Sequence, residues 1–98
     1  MITNSELKYI KKLGRKKYRN LYSHFVVEGE KVFQDLLNSK IPLVRCYSTK
    51  QINVQNSVIV TDNCMKRMTF LKNPSNVLGI FSTPKKKRTP LNKKVLVL

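Results

Sequence analysis

Short β-type runs alternate along this chain with segments whose apolar residues recur at helical spacing, and that alternation most limits the folds open to it. Phe25, Val26 and Val27 form one such run, stopped by Glu28 and Gly29. Val32, Phe33, Leu36 and Leu37 follow as i, i+1, i+4, i+5, the pattern of a helix buried along one stripe. Asn38, Ser39, Lys40 and the Ile41, Pro42 pair end that helix, because a proline pushes the residue before it out of helical backbone. Residues 43–47 read as a second strand and 58–60 as a third, with a polar loop from Ser48 to Ser57 between them. Thr61 or Asp62 then caps a short helix whose Cys64, Met65, Met68 and Leu71 face inward. Asn73 and Pro74 make a turn, and residues 77–81 form a fourth strand. Strands and helices in this order predict an α/β chain, an αβα sandwich around a small central mixed sheet.

Ahead of the first strand, Leu7, Ile10 and Leu13 follow helical spacing, while Lys8, Lys12, Arg15 and Arg19 fall at i, i+4, i+7 and i+11 on the opposite face. Asn4 or Ser5 is placed to cap this helix, and Glu6 lies favourably in its first turn. A straight continuation would bring Lys17 onto the face of Ile10, so a break or bend near Gly14 is expected.

The cations decide what such a sandwich would meet. The 98 residues hold 20 Lys and Arg against 5 Asp and Glu, a net charge of +15. Thirteen of the 20 lie in two segments without a single acid. The first carries Lys8, Lys11, Lys12, Arg15, Lys16, Lys17 and Arg19; the second carries Lys85, Lys86, Lys87, Arg88, Lys93 and Lys94. Clustered charge of this kind suits a polyanion, whereas an even coat would serve solubility. Pro84 and Pro90 bracket the second block, which reads as an exposed, extended connector. It is a solvated linker, an RNA-contacting linker or a targeting signal.

Several chemistries find no support in the residues. Cys46 and Cys64 are too few and too far apart for a metal site or a disulfide framework, and they read as buried reduced thiols. His24 is the single histidine and reads as structural. Gly14, Gly29 and Gly79 are isolated, so neither a phosphate loop nor a dinucleotide fingerprint is present. The longest apolar runs are about four residues, against the ~18 to 20 of a membrane span, and no secretory h-region follows Met1. A cytoplasmic protein with no membrane or metal partner is the expectation. Clustered aromatics that would make a stacking platform for single strands are not expected either.

A family resemblance rests on Ile2, Thr3 and Asn4 with Lys8 and Leu13, then Lys17, Tyr18 and Arg19, then Phe25, Val26, Val27, Glu28 and Gly29. It extends to Met65, Met68 and Thr69, with Pro74, Val77, Leu78, Gly79 and Ile80. On these residues the chain resembles the N-terminal substrate-binding domain of the SpoU (TrmH-type) RNA 2'-O-ribose methyltransferases, a domain similar in fold to the L30e and L7Ae RNA-binding proteins. The block from Lys17 to Gly29 is its most specific part, and Ser75 departs from it where Gln is common.

The resemblance implies an L30e-like sandwich in which Asn4, Lys8, Lys17, Arg19 and Glu28 match positions of the RNA-facing or domain-organising surface. Glu28 reads as the ionic partner of Arg19, a first-turn helix charge or a catalytic acid, with the ion pair preferred because a carboxylate facing RNA would repel phosphate. It implies residues 1–83 as an RNA substrate-binding domain, 84–94 as a basic linker and 95–98 as the first strand of a catalytic domain that holds S-adenosylmethionine. The run Val95, Leu96, Val97, Leu98 is otherwise a further strand of this sheet. The function expected is positioning of structured rRNA or tRNA for ribose methylation. Phosphate contacts fall to Lys8, Lys12, Arg15, Lys16 and Arg19, with Lys85, Lys86, Lys87 and Arg88 as a second anchor. The parent is expected to dimerise through its catalytic half, leaving this segment monomeric and without cofactor. The alternatives are a freestanding structural RNA binder of a ribonucleoprotein and a module for an acidic protein.

Overall fold

The computed structural model describes residues 2–84. Its elements run α1 (Asn4–Lys12), α2 (Lys16–Tyr22), β1 (His24–Glu28), α3 (Glu30–Asn38), β2 (Leu43–Ser48), β3 (Ser57–Ile59), α4 (Asp62–Met68) and β4 (Val77–Ser82). The expected anchor Lys85, Lys86, Lys87, Arg88 and the run at residues 95–98 lie outside the described residues.

The last strand in sequence is inside the sheet, whose order is β1-β4-β2-β3. β4 runs antiparallel to β1, with Phe25 opposite Phe81 and Val27 opposite Gly79, and antiparallel to β2, with Cys46 opposite Gly79 and Tyr47 opposite Leu78. β2 pairs in parallel with the edge strand β3, so the sheet is mixed, as expected. Residues 77–81 are buried throughout because both faces of β4 are covered. On one face Leu78 and Ile80 pack with Ile10 of α1, with Leu13 just after it and with Met65 and Met68 of α4. On the other, Val77 and Phe81 pack with Val27, Cys46 and Phe33 of α3. The αβα sandwich follows from this alternation along one strand.

Gly79 sets how closely α3 lies on the sheet. A Cβ there would meet two ring carbons of Phe33 and one of Phe81, all at 2.9 Å. Those rings are buried and packed edge to face at 5.8 Å, so neither can swing aside. Gly29, which starts α3, has φ +111, a backbone conformation that side chains resist.

The start of α1 differs from expectation. Thr3, not Asn4 or Ser5, is the cap: its hydroxyl accepts from the Glu6 N–H and its own N–H donates to Glu6 Oε1, both at 3.0 Å. Only Thr3 has a glutamate three residues on, and that reciprocal pairing decides the position. The other oxygen of Glu6 accepts from the Tyr47 hydroxyl at 3.0 Å and from Arg45, so one carboxylate ties the start of α1 to β2. The Thr3 backbone N–H, followed by Tyr47 and Arg45, holds the Glu6 carboxyl below the usual carboxylate range.

Two further expectations change. Leu71 is exposed, because α4 ends at Met68 and Thr69 is already extended, so the helical period that would turn it inward stops short. The loop after β2 is not simply polar, since Ile52 and Val54 pack against the α3-side core. The break near Gly14 is present between Lys12 and Lys16. Cys46 is buried and its thiol is pushed up to about 11 by that burial, which keeps it protonated, whereas Cys64 is only half-buried. Among the described residues no helix is long and apolar enough to cross a membrane.

Gly79→Ala should destabilise the domain by about 1–3 kcal/mol through overpacking, read from the midpoint of chemical denaturation at unchanged m-value. Glu6→Ala should cost roughly 2 kcal/mol at neutral pH, since it removes half of a capping box and leaves the buried Tyr47 hydroxyl unpaired. Folding lowers the Glu6 pKa, so the stability its charge confers is present above the ordinary carboxylate range and is lost as pH falls through the folded value. The stability gap between wild type and Glu6→Gln should therefore narrow on acidification below about pH 4.

Candidate nucleic-acid interface

The cationic surface is built at the junction of α1 and α2. The last turn of α1 tightens as the N–H groups of Leu13, Gly14 and Arg15 reach the carbonyls of Ile10, Lys11 and Lys12 at 3.0–3.1 Å. Arg19, one turn into α2, folds back and donates from Nη1 to the Leu13 carbonyl at 3.0 Å. A guanidinium thus satisfies a helix-terminal carbonyl and clamps the two helices into one corner. Outside this clamp Lys12, Arg15, Lys16 and Lys17 are exposed, and Lys8 is exposed one turn earlier on α1. Asn4 is exposed at the far end of the same helix.

The expected Arg19–Glu28 ion pair is not formed. Arg19 is committed to Leu13, and Glu28 accepts from the Thr69 hydroxyl and, at 2.9 Å, from the Phe70 N–H. Glu28 therefore ties the end of β1 to the turn after α4. It is a structural carboxylate with a different partner, because α4, leaving the far edge strand β3, crosses back over β4 and its exit meets the end of β1.

The ion pairs among the described residues are Glu6–Arg45 and Glu30–Lys50, both away from the α1–α2 corner. With Glu28 turned toward Thr69, the acids whose carboxylates are engaged leave Lys8, Lys12, Arg15, Lys16 and Lys17 without an ionic partner among the described residues. Lys11 is the exception in its segment, donating to the Thr69 carbonyl at 2.9 Å and lying 4.8 Å from the centre of the Phe70 ring.

Contrary to the expectation of no clustered aromatics, the corner also holds a group of aromatic rings, because the crossing of α1 and α2 brings Tyr9 to Tyr22. Tyr18 and Tyr22 of α2 lie near-parallel, 13° apart with centroids at 6.2 Å. Tyr22 meets Tyr9 of α1 edge to face at 5.2 Å, and the Tyr9 hydroxyl shares a hydrogen bond with His24 Nδ1. Burial, and then the neighbouring Tyr22, raise the Tyr9 pKa and keep its hydroxyl protonated. The ammonium groups of Lys12 and Lys17 stand 5.6 and 5.4 Å from the centre of the Tyr18 ring. The i, i+4 spacing of Tyr18 and Tyr22 was the available signal; the approach of Tyr9 and His24 depends on how the two helices cross. His24 is accordingly structural. Among the described residues no three His, Cys, Asp or Glu side chains gather as metal ligands would.

With this geometry the chain can be compared with known proteins. A sequence profile of the MRM3-like substrate binding domain matches residues 4–79, and the chain belongs to that family. No curated protein sequence matches it. Among solved structures it is similar to a protein from Porphyromonas gingivalis assigned to the TrmH family of RNA methyltransferases, with a TM-score of 0.77 at 20% identity over 90% of this chain. It is also similar to an RNA 2'-O ribose methyltransferase, with a TM-score of 0.73 at 17% identity over 92% of this chain. An rRNA methyltransferase from Sinorhizobium meliloti gives a TM-score of 0.71 at 23% identity over 88% of this chain. At these identities the likeness is one of fold. The chain spans 38%, 39% and 36% of the length of those three, so it corresponds to a part of each.

Proposed function

We propose that this chain is the RNA-recognition domain of an RNA 2'-O-ribose methyltransferase, gripping phosphates of structured rRNA or tRNA through the α1–α2 corner. The observation that carries the reading is the unpaired cationic set Lys8, Lys12, Arg15, Lys16 and Lys17 on a domain of the substrate-binding family. Lysines without carboxylate partners are free to neutralise phosphate, and each phosphate neutralised releases condensed counterion. Arg19 is assigned a positioning role, holding the corner through Leu13, and Asn4 marks the far end of the same face. Lys85, Lys86, Lys87 and Arg88 serve as a second anchor in a linker at residues 84–94, ahead of a catalytic domain opening at residues 95–98.

S-adenosylmethionine belongs to that catalytic domain. Gly14, Gly29 and Gly79 sit at a helix junction, a helix start and the sheet interior, and do not combine into a cradle for it. The short span of this chain against its structural neighbours supports the division, and one of those neighbours, the S. meliloti enzyme, is also known with AdoMet bound. Dimerisation would run through the catalytic half in a cytoplasmic parent protein.

Binding of the chain to a structured RNA, followed across a salt series, should give a log–log slope near −4 if about five phosphates are engaged. Lys12→Gln and Lys17→Gln should each flatten the slope by about one, while a salt-independent affinity would exclude the reading.

A further inference from the structure

We propose that Tyr18 and Tyr22, framed by Lys12 and Lys17, form a stacking platform for an unpaired nucleotide, so that this corner prefers interrupted RNA over continuous duplex. The proposal rests on the RNA-binding reading above and adds to it a selectivity that phosphate contacts alone do not supply.

Three observations carry it. First, α2 has no buried residue, so its two tyrosines are not core material; Tyr18 is half-buried, Tyr22 is 38% exposed and its neighbour Leu21 65%. Two aromatic side chains and a leucine together on one helix that contributes nothing fully buried make a contiguous exposed apolar patch, the kind of surface that marks a binding site. Second, the rings are oriented before anything binds. Tyr22 packs edge to face with Tyr9, and Tyr9 is held by His24, which fixes the plane that an incoming ring would meet. Preorganisation of this kind spares the ordering cost that a free side chain would incur on binding. Third, two cations stand beside the rings. The two ammonium groups over Tyr18 lie within 5.6 Å of its centre, and neither makes an ion pair among the described residues.

A flat aromatic face beside two cations matches a nucleotide, which offers a π surface and a phosphate within one residue. It does not match a paired duplex, whose base faces are already covered by their own neighbours. An acidic peptide would engage the lysines but would leave the tyrosines without a flat partner. The cation–π contacts present in the free domain do not block the platform, because at exposed sites they are weak enough for the ammonium groups to turn outward to phosphate.

The test compares the full chain binding a continuous RNA duplex with the same duplex interrupted by an internal loop, at one fixed salt concentration. Wild type should favour the looped RNA. Tyr22→Ala should lower affinity for it by about tenfold to a hundredfold, while changing duplex affinity by less than about twofold. Tyr22→Phe keeps the π face and should restore the preference, which separates stacking from any loss of fold. A 5-bromouridine in the loop should photo-crosslink to Tyr18 or Tyr22. If Tyr22→Ala weakens both RNAs equally or neither, while Lys12→Gln and Lys17→Gln still weaken both, the stacking proposal is overturned and the phosphate reading stands. If wild type binds neither RNA, or binds an acidic protein more tightly at equal salt, both fall.

Discussion

Everything in this domain is hung on β4 being covered on both faces. Because a strand presents alternate side chains to opposite sides, the five residues 77–81 must supply two cores at once, Leu78 and Ile80 to one and Val77 and Phe81 to the other. The missing side chain at Gly79 lets Phe33 settle onto the sheet, and α3 follows it. With both faces closed by α1 and α4 on one side and α3 on the other, the cations of α1 and α2 lie on the outer surfaces of those helices. The cationic corner is thus a consequence of the sandwich as much as of composition.

The few acids determine where that positive field stays open. Glu6 is engaged by Thr3, Tyr47 and Arg45, Glu28 by Thr69 and Phe70, and Glu30 by Lys50 and Asn76. Each of these three joins segments distant in sequence and acts as an internal tie, and none pairs with a lysine of α1 or α2. A surface so left is both attractive to a polyanion and open to displacement by salt, since exposed charges interact through water. Arg19 completes the arrangement by donating one guanidinium N–H to a carbonyl, which shapes the corner while its positive charge stays unpaired among the described residues.

Local periodicity carried most of the fold. The strands, the break at Gly14, a cap at Thr61 or Asp62 and the inward methionines of α4 were legible, because each depends on residues within a turn or two of one another; the structure assigns the cap to Thr61, whose hydroxyl accepts from the Cys64 N–H. The Thr3 cap was within reach of the same reasoning, through its reciprocal pairing with Glu6. Leu71 shows where periodicity misleads, since nothing in its spacing says that α4 stops at Met68.

Of the candidate site, the sequence by itself determined that cations cluster ahead of the first strand, that an amphipathic helix carries them and that two tyrosines sit four residues apart. Only the tertiary structure decided their partners. It separated Arg19 from Glu28, committing one to Leu13 and the other to Thr69 and Phe70, and it brought Tyr9 and His24 up to Tyr22. The physical reason is the same in both cases: these contacts join different elements, and which elements touch is set by strand order and helix crossing, neither of which leaves a periodic trace in the chain.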